Sequence, residues 1–153
     1  MTPVIKHQTY IKSKPEKVFH TLTTAPGWNA WFTDRTTIEW NKDGTGEIRL
    51  RWAVMGEKLI EDGGKIIEAI PYESFIFQWC PGVSQTTVIF KLLPYREGTL
   101  VVLKEHGYSN KEMDACIGCA IGWGEALTLL KIFLEHGIVY KKDLFLGVDI
   151  TDL

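Results

Sequence analysis

The sequence is short of the residues that mark secreted scaffolds, polyanion binders and membrane proteins. Its cysteines number 3, Cys80, Cys116 and Cys119. An odd count without framework spacing excludes a disulfide scaffold, and reduced thiols are expected. Charge of one sign is also lacking. Lysine plus arginine total 17 against 19 acidic residues, a net charge of −2. That balance gives no long-range attraction to polyanions, and no local basic patch appears, so nucleic acid is not an expected partner. No apolar run approaches the roughly 18 residues of a membrane span. The first dozen residues lack the apolar stretch and cleavage site of a signal peptide, and a cytoplasmic protein is expected. There is no G-x-S-x-G, P-loop, G-x-G-x-x-G or H-E-x-x-H motif, so neither a metal nor a cofactor is expected.

What is present suits a core. Hydrophobic residues make up 45% and charged residues 24% of 153 positions, ordinary for a soluble globular protein. That length predicts a single domain over residues 1–153, and no repeat or linker interrupts it. After an alternating segment from Val4 to Ile11, Ser13-Lys14-Pro15-Glu16 has the form of a capping box. A short helix bearing Val18, Phe19 and Leu22 should follow and end before Pro26-Gly27. Trp28 and Trp31, three apart, share one side of a second helical turn.

From Thr36 to His106 the pattern becomes strands separated by turn chemistry at Asp43-Gly44, Gly63-Gly64, Pro71-Tyr72, Pro81-Gly82 and Glu97-Gly98. Six strands are predicted: Thr36 to Asn41, Gly46 to Met55, Gly64 to Ile70, Ser74 to Cys80, Gln85 to Leu93 and Thr99 to His106. Short connections imply an antiparallel meander. Alternation assigns to one face Ile38 and Trp40, Ile48, Leu50, Trp52 and Val54, Phe75, Phe77 and Trp79, Val88, Phe90 and Leu92, and Val101 and Leu103.

Ser109-Asn110-Lys111-Glu112 resembles a second capping box. It opens a proline-free stretch to His136, closed by Gly137, a predicted helix of about 25 residues. Cys116, Cys119, Ala120, Trp123, Leu127, Leu130 and Leu134 form its apolar stripe, which should lie on the aromatic face of the sheet. Gly118, Gly122 and Gly124 suggest close approach or a bend there. The segment 138–153 remains half apolar and should pack on the body or on a second subunit.

This order of elements resembles the helix-grip fold, an α+β architecture in which a curved antiparallel sheet of about seven strands wraps a long C-terminal helix, with two short helices after strand one. It is shared by the steroidogenic-acute-regulatory-protein lipid-transfer (START) and birch-allergen families. The wording is most similar to the activator-of-heat-shock-protein-ATPase homologue family. The matching pieces are Pro15-Glu16-Lys17-Val18-Phe19, Trp28 with Trp31, residues 64–71, Phe75-Ile76-Phe77-Gln78-Trp79, residues 98–103, Gly107-Tyr108 and Gly122-Trp123. The resemblance implies an apolar cavity in a protein of unassigned role, with relatives that cyclise polyketides or bind apolar small molecules.

The expected function is binding of a hydrophobic, aromatic or acyl small molecule between sheet and helix. Trp31, Trp40, Trp52, Phe75, Phe77, Trp79, Phe90, Leu103, Cys119, Trp123 and Leu127 would line the site, and Glu105 and His106 would orient a polar end. The simpler alternative is that these rings fill a solid core. Glu105 is in phase with Val101 and Leu103, and an inward carboxylate is a candidate acid or base; alternatively it reaches water at the strand end. Glu68 is the weaker second candidate, with a salt bridge to Arg49 or Arg51 as the duller option. A cyclase-like or hydrolase-like enzyme using either carboxylate is the competing function. An interaction module, a chaperone partner or a homodimer, is the third. Cys116-Ile117-Gly118-Cys119 has C-x-x-C spacing but lies inside a helix without a second pair, so both thiols are expected to act as small apolar groups.

Overall fold

The computed structural model describes residues 1–54, 58–142, 144 and 149–152. Among them the chain runs β1 (Ile5–Ile11), α1 (Pro15–Thr23), α2 (Ala25–Trp31), β2 (Thr37–Trp40), β3 (Gly46–Val54), β4 (Lys58–Ile70), β5 (Ser74–Trp79), β6 (Thr86–Tyr95), β7 (Gly98–His106) and α3 (Met113–His136). The strands form one 7-stranded sheet in the order β1-β7-β6-β5-β4-β3-β2. Every pairing is antiparallel. Strands two to seven are the expected meander, and β1 closes beside β7 with Ile5 opposite Glu105 and Ile11 opposite Thr99. This is the helix-grip architecture that the sequence pattern predicts.

The inner face carries Ile48, Leu50, Phe75, Phe77, Val88, Phe90, Val101 and Leu103, all fully buried. Two strand assignments change. Trp40, expected on that face, lies at the end of the short edge strand β2 and is 44% exposed. Strand β4 starts at Lys58 rather than Gly64. Gly63-Gly64 is therefore not a turn but lies within a 13-residue strand, in unbroken register with β3. Gly63 has φ +152, and a Cβ there would stand 2.1 Å from the Ile48 carbonyl oxygen, so glycine allows the close approach of the two backbones. Met55 and the side chain of Val54 lie outside the described residues.

The two capping boxes differ in outcome. The N-cap of α1 is Lys14, without a side-chain cap, while the Ser13 carbonyl accepts from Thr99 Oγ1 at 2.7 Å. At the second, Glu112 accepts from the Ser109 backbone N–H at 2.8 Å as the box predicts, but helix α3 begins only at Met113 and carries no side-chain cap. Its C-terminus ends as predicted, with Gly137 at φ 65 returning its N–H to the Phe133 carbonyl.

By length and composition α3 could cross a membrane, with 24 residues and a mean hydropathy of 1.5 in its most apolar window. Here it serves as the core helix. Ala126, Leu127, Leu129, Leu130 and Leu134 are buried, so its C-terminal half seals against the body. The N-terminal half differs: Ile117 and Ile121 are exposed, and Cβ atoms added at Gly118, Gly122 or Gly124 would meet nothing within 4 Å. The expectation of close approach at these glycines is thus reversed, because they border open space. Beyond α3, Leu144 packs on the core, and Lys141 reaches the Asn29 and Thr33 carbonyls. Phe145, Leu146 and Val148 of the apolar 138–153 segment lie outside the described residues.

Candidate functional site

Glu105 sits near the end of β7 on the inner-face phase and is fully buried. Four donors converge on it. Trp79 Nε1 donates to Oε2 at 2.8 Å, Thr86 Oγ1 to Oε2 at 2.6 Å, Tyr108 Oη to Oε2 at 2.9 Å, and Trp123 Nε1 to Oε1 at 2.8 Å. Among the described residues no basic side chain pairs with it. The two indole N–H groups donate only, and each is met by a different oxygen of Glu105. Removing it would leave several buried donors without partners, each costing about 1–3 kcal/mol. Glu105 thus fixes two tryptophans that come from different layers, one from β5 and one from α3.

Above those indoles lies a cleft of about 340 Å³. Phe32, Trp52, Ile60, Glu61, Asp62, Trp79, Cys80, Pro81, Gly118, Cys119, Gly122 and Trp123 line it. Its aromatic wall is continuous. Ring centroids are 5.3 Å apart for Phe32 and Trp52, 6.5 Å for Trp52 and Trp79, 5.3 Å for Trp79 and Trp123, and 6.4 Å for Trp123 and Phe32. Gly118 and Gly122 keep the helix side of the cleft open, since a side chain at either would project into space that is free.

Asp62 brings polarity to this wall. Its Oδ1 accepts the N–H groups of Gly63 at 2.7 Å and Cys80 at 2.8 Å. Partial burial pushes its carboxyl above the usual range, with the Glu105 charge adding to the shift. The neighbouring Glu61 is paired with Arg51 at 3.1 Å. On the helix side, burial pushes the Cys119 thiol up to about 11 and also raises Cys116. The Tyr108 hydroxyl is raised chiefly by burial, with Cys119 and Glu105 contributing.

Glu112 secures the rim. Its Oε1 accepts from Val83 and Ser84 N–H at 2.6 and 2.8 Å, and its Oε2 accepts from Ser109 N–H at 2.8 Å. The Ser84 side chain and these backbone groups hold its carboxyl well below the ordinary range. The loop after β5 is thereby fastened to the start of α3, next to Cys80 and Pro81 of the cleft.

The structure brings together Trp52, Trp79, Cys119 and Trp123 around one opening, with Glu105 behind it. Phe75, Phe77, Phe90, Leu103 and Leu127 are fully buried and belong to the packed core rather than the lining. Trp31 is also core, stacked on Phe32 at 5.0 Å, and its Nε1 is buried with no partner among the described residues. His106 faces outward and is exposed, as the alternation of β7 requires. Glu68 lies apart from the cleft beyond a register shift in β4, and its Oε2 accepts from Ser74 Oγ at 2.8 Å. The alternative partner Arg51 is committed to Glu61. Among the described residues no cluster of metal-ligating side chains occurs.

Sequence reasoning missed Phe32, Ile60, Glu61, Asp62, Cys80, Pro81, Gly118 and Gly122 as lining residues. The signal for two of them was present. Once β4 extends to Lys58, Ile60 and Asp62 share the phase of buried Ile66 and stand opposite Trp52 and Leu50.

A curved sheet gripping one long helix, with an apolar cleft at the helix's N-terminal half, defines a START-like helix-grip protein. The chain belongs to the family of activator of Hsp90 ATPase homolog 1-like proteins, whose model matches residues 12–135. Solved structures share the fold at low identity. Protein SSP2350 from Staphylococcus saprophyticus is 19% identical, with a TM-score of 0.72, covering 91% of this chain and 96% of that one. The Aha1 dimer from Colwellia psychrerythraea is 22% identical, with a TM-score of 0.61 and coverages of 88% and 98%. The di-domain ARO/CYC StfQ from the steffimycin biosynthetic pathway is 13% identical, with a TM-score of 0.70, and the match spans 88% of this chain but 52% of that one. No curated protein matches the chain by sequence.

Proposed function

We propose that this protein binds a small hydrophobic molecule in the cleft between β3, β4 and β5 and the N-terminal half of α3. The observation that carries the reading is the opening of about 340 Å³ walled by three indoles and a phenyl ring. Its size falls at the lower end of small-molecule sites, about 300–1,000 Å³, and suits a compact aromatic or a short acyl group. The wall is preorganised: Glu105 holds Trp79 and Trp123 before any ligand arrives, which lowers the ordering cost of binding.

Binding is favoured over a cyclase-like or hydrolase-like reaction by the state of the carboxylates. Both oxygens of Glu105 are already occupied by four donors, and Glu68 lies outside the cleft. Neither is presented to a molecule in the opening. Asp62 takes over the role of polar anchor first expected of Glu105 and His106.

The test is a titration with N-phenyl-1-naphthylamine, a neutral fluorophore, followed through its own emission and through tryptophan quenching. Saturable binding of one molecule per chain is expected. Absence of binding to the folded protein by this and several chemically unrelated neutral probes would overturn the proposal.

A further inference from the structure

The charge around the aromatic wall narrows the class of ligand, on the reading that the cleft is a binding site. Among the described residues, the lining carries two carboxylates, Asp62 and Glu61, and no lysine, arginine or histidine. Glu61 is compensated by Arg51, whereas among the described residues Asp62 has no basic partner within ion-pair distance. Arg49 lies opposite Gly63 in the β3–β4 register and alternates with buried Ile48 and Leu50, so it belongs to the outer face; its charge acts on Asp62 only through space and is the smallest of the influences on that carboxyl. Asp62 Oδ1 is engaged by two backbone N–H groups, which fixes the orientation of the carboxylate at the wall.

The rings add a second, independent contribution. Aromatic faces carry negative potential and attract a cation within about 6 Å of the centroid. Four such rings meet here in a closed circuit, one pair T-shaped and three tilted. Two of them, Trp79 and Trp123, donate their N–H groups to the Glu105 carboxylate, which shifts electron density into the indole π systems. An anion entering the cleft would meet the Asp62 carboxylate and the ring faces, with the buried Glu105 charge behind them, all unfavourable to it.

We propose that the cleft selects ligands that join an apolar body to a positively charged ammonium group, with the ammonium against the Trp79 and Trp123 faces and beside Asp62. A protonated amine or a quaternary ammonium meets this requirement, while carboxylates, sulfonates and phosphates are disfavoured.

Three probes of matched shape decide the matter by calorimetry or tryptophan quenching: benzyltrimethylammonium, its uncharged carbon isostere neopentylbenzene, and phenylmethanesulfonate. The ammonium should bind at least tenfold more tightly than the sulfonate. Asp62→Asn, whose side-chain oxygen can still accept from Gly63 and Cys80, should weaken the ammonium threefold or more and leave neopentylbenzene within twofold. Retained binding of the uncharged probe shows that the variant is folded with an intact cleft. Sulfonate binding equal to ammonium binding, or less than a threefold loss of ammonium affinity in Asp62→Asn, overturns charge selection while leaving apolar binding in place. Failure of all three probes to bind wild-type protein overturns both this inference and the binding function.

Discussion

Trp79 and Trp123 face each other at 5.3 Å from opposite layers of the fold and donate to different oxygens of one buried carboxylate. The link between strand and helix is therefore polar at the point where the cleft begins. Hydrophobic packing alone would let the rings slide; hydrogen bonds to Glu105 fix their angle as well as their position.

Glu105→Gln keeps the shape but replaces one oxygen with an N–H donor. At least one of the four donors then faces another donor, and a stability loss of about 1–3 kcal/mol is expected in denaturant unfolding. The near-ultraviolet circular dichroism from the indoles should weaken in parallel. A loss below about 0.5 kcal/mol, within the range of neutral surface changes, would show that the network does not tie helix to sheet.

Trp123→Ala should cost about 3–5 kcal/mol, because the indole is buried between helix and sheet and leaves a cavity. Trp123→Phe separates packing from bonding: it keeps most of the ring and loses only the donor to Glu105. Its cost should be smaller than that of alanine. Equal costs would mean that the N–H bond dominates, and a loss under about 1 kcal/mol for alanine would mean that the indole is not packed.

Much of this arrangement is legible in the sequence, and the exceptions have physical causes. Period-two alternation places Trp52, Trp79 and Glu105 on one face, and the stripe on α3 places Trp123 against it. Trp40 obeys the same alternation, yet it falls at the end of an edge strand and is exposed. Gly63-Gly64 carries turn chemistry, and only the backbone approach of Ile48 shows why glycine stands inside a continuous strand, which hid Asp62 from the inner-face count. The helix glycines are ambiguous from sequence because missing side chains serve close contact and open space equally well.

Two carboxylates should give opposite pH signatures. Asp62 has its folded-state pKa raised by burial, so its ionisation disfavours the fold as pH rises from the unfolded value of about 3.9 through the folded one. Asp62→Asn should thus be at least as stable as wild type at neutral pH, with any advantage vanishing below about pH 4. Glu112 is shifted down, so its contribution is present above its ordinary value of 4.5 and is lost as pH falls below that. Glu112→Gln should be less stable than wild type at pH 7, and the gap should close with acid. Thermal unfolding across pH 2–8, roughly the window these shifts span, reads both signs. A gap for Glu112→Gln that widens in acid would contradict the rim assignment.

The thiols of Cys116 and Cys119 should be poor nucleophiles. Burial raises both, with the Glu105 charge adding to the shift at each and the Asp62 charge also adding at Cys119. Exposed Cys80 should react first with a maleimide at neutral pH, with the two helix cysteines following slowly. Alkylation of Cys119 as fast as Cys80, or stoichiometric zinc in the purified protein, would contradict their role as small apolar groups.

The central claim is that the opening beside α3 receives a ligand, and Gly122 offers the most direct control over it. A Cβ at this position meets nothing within 4 Å, so Gly122→Phe can fill the cleft without displacing the helix. Binding of N-phenyl-1-naphthylamine, measured side by side on wild type and Gly122→Phe, should show one saturable site in the former and at least tenfold weaker binding in the latter, with the unfolding temperature preserved. Equal binding by the two proteins would contradict the placement of the site, and no saturable binding by wild type would contradict the account itself.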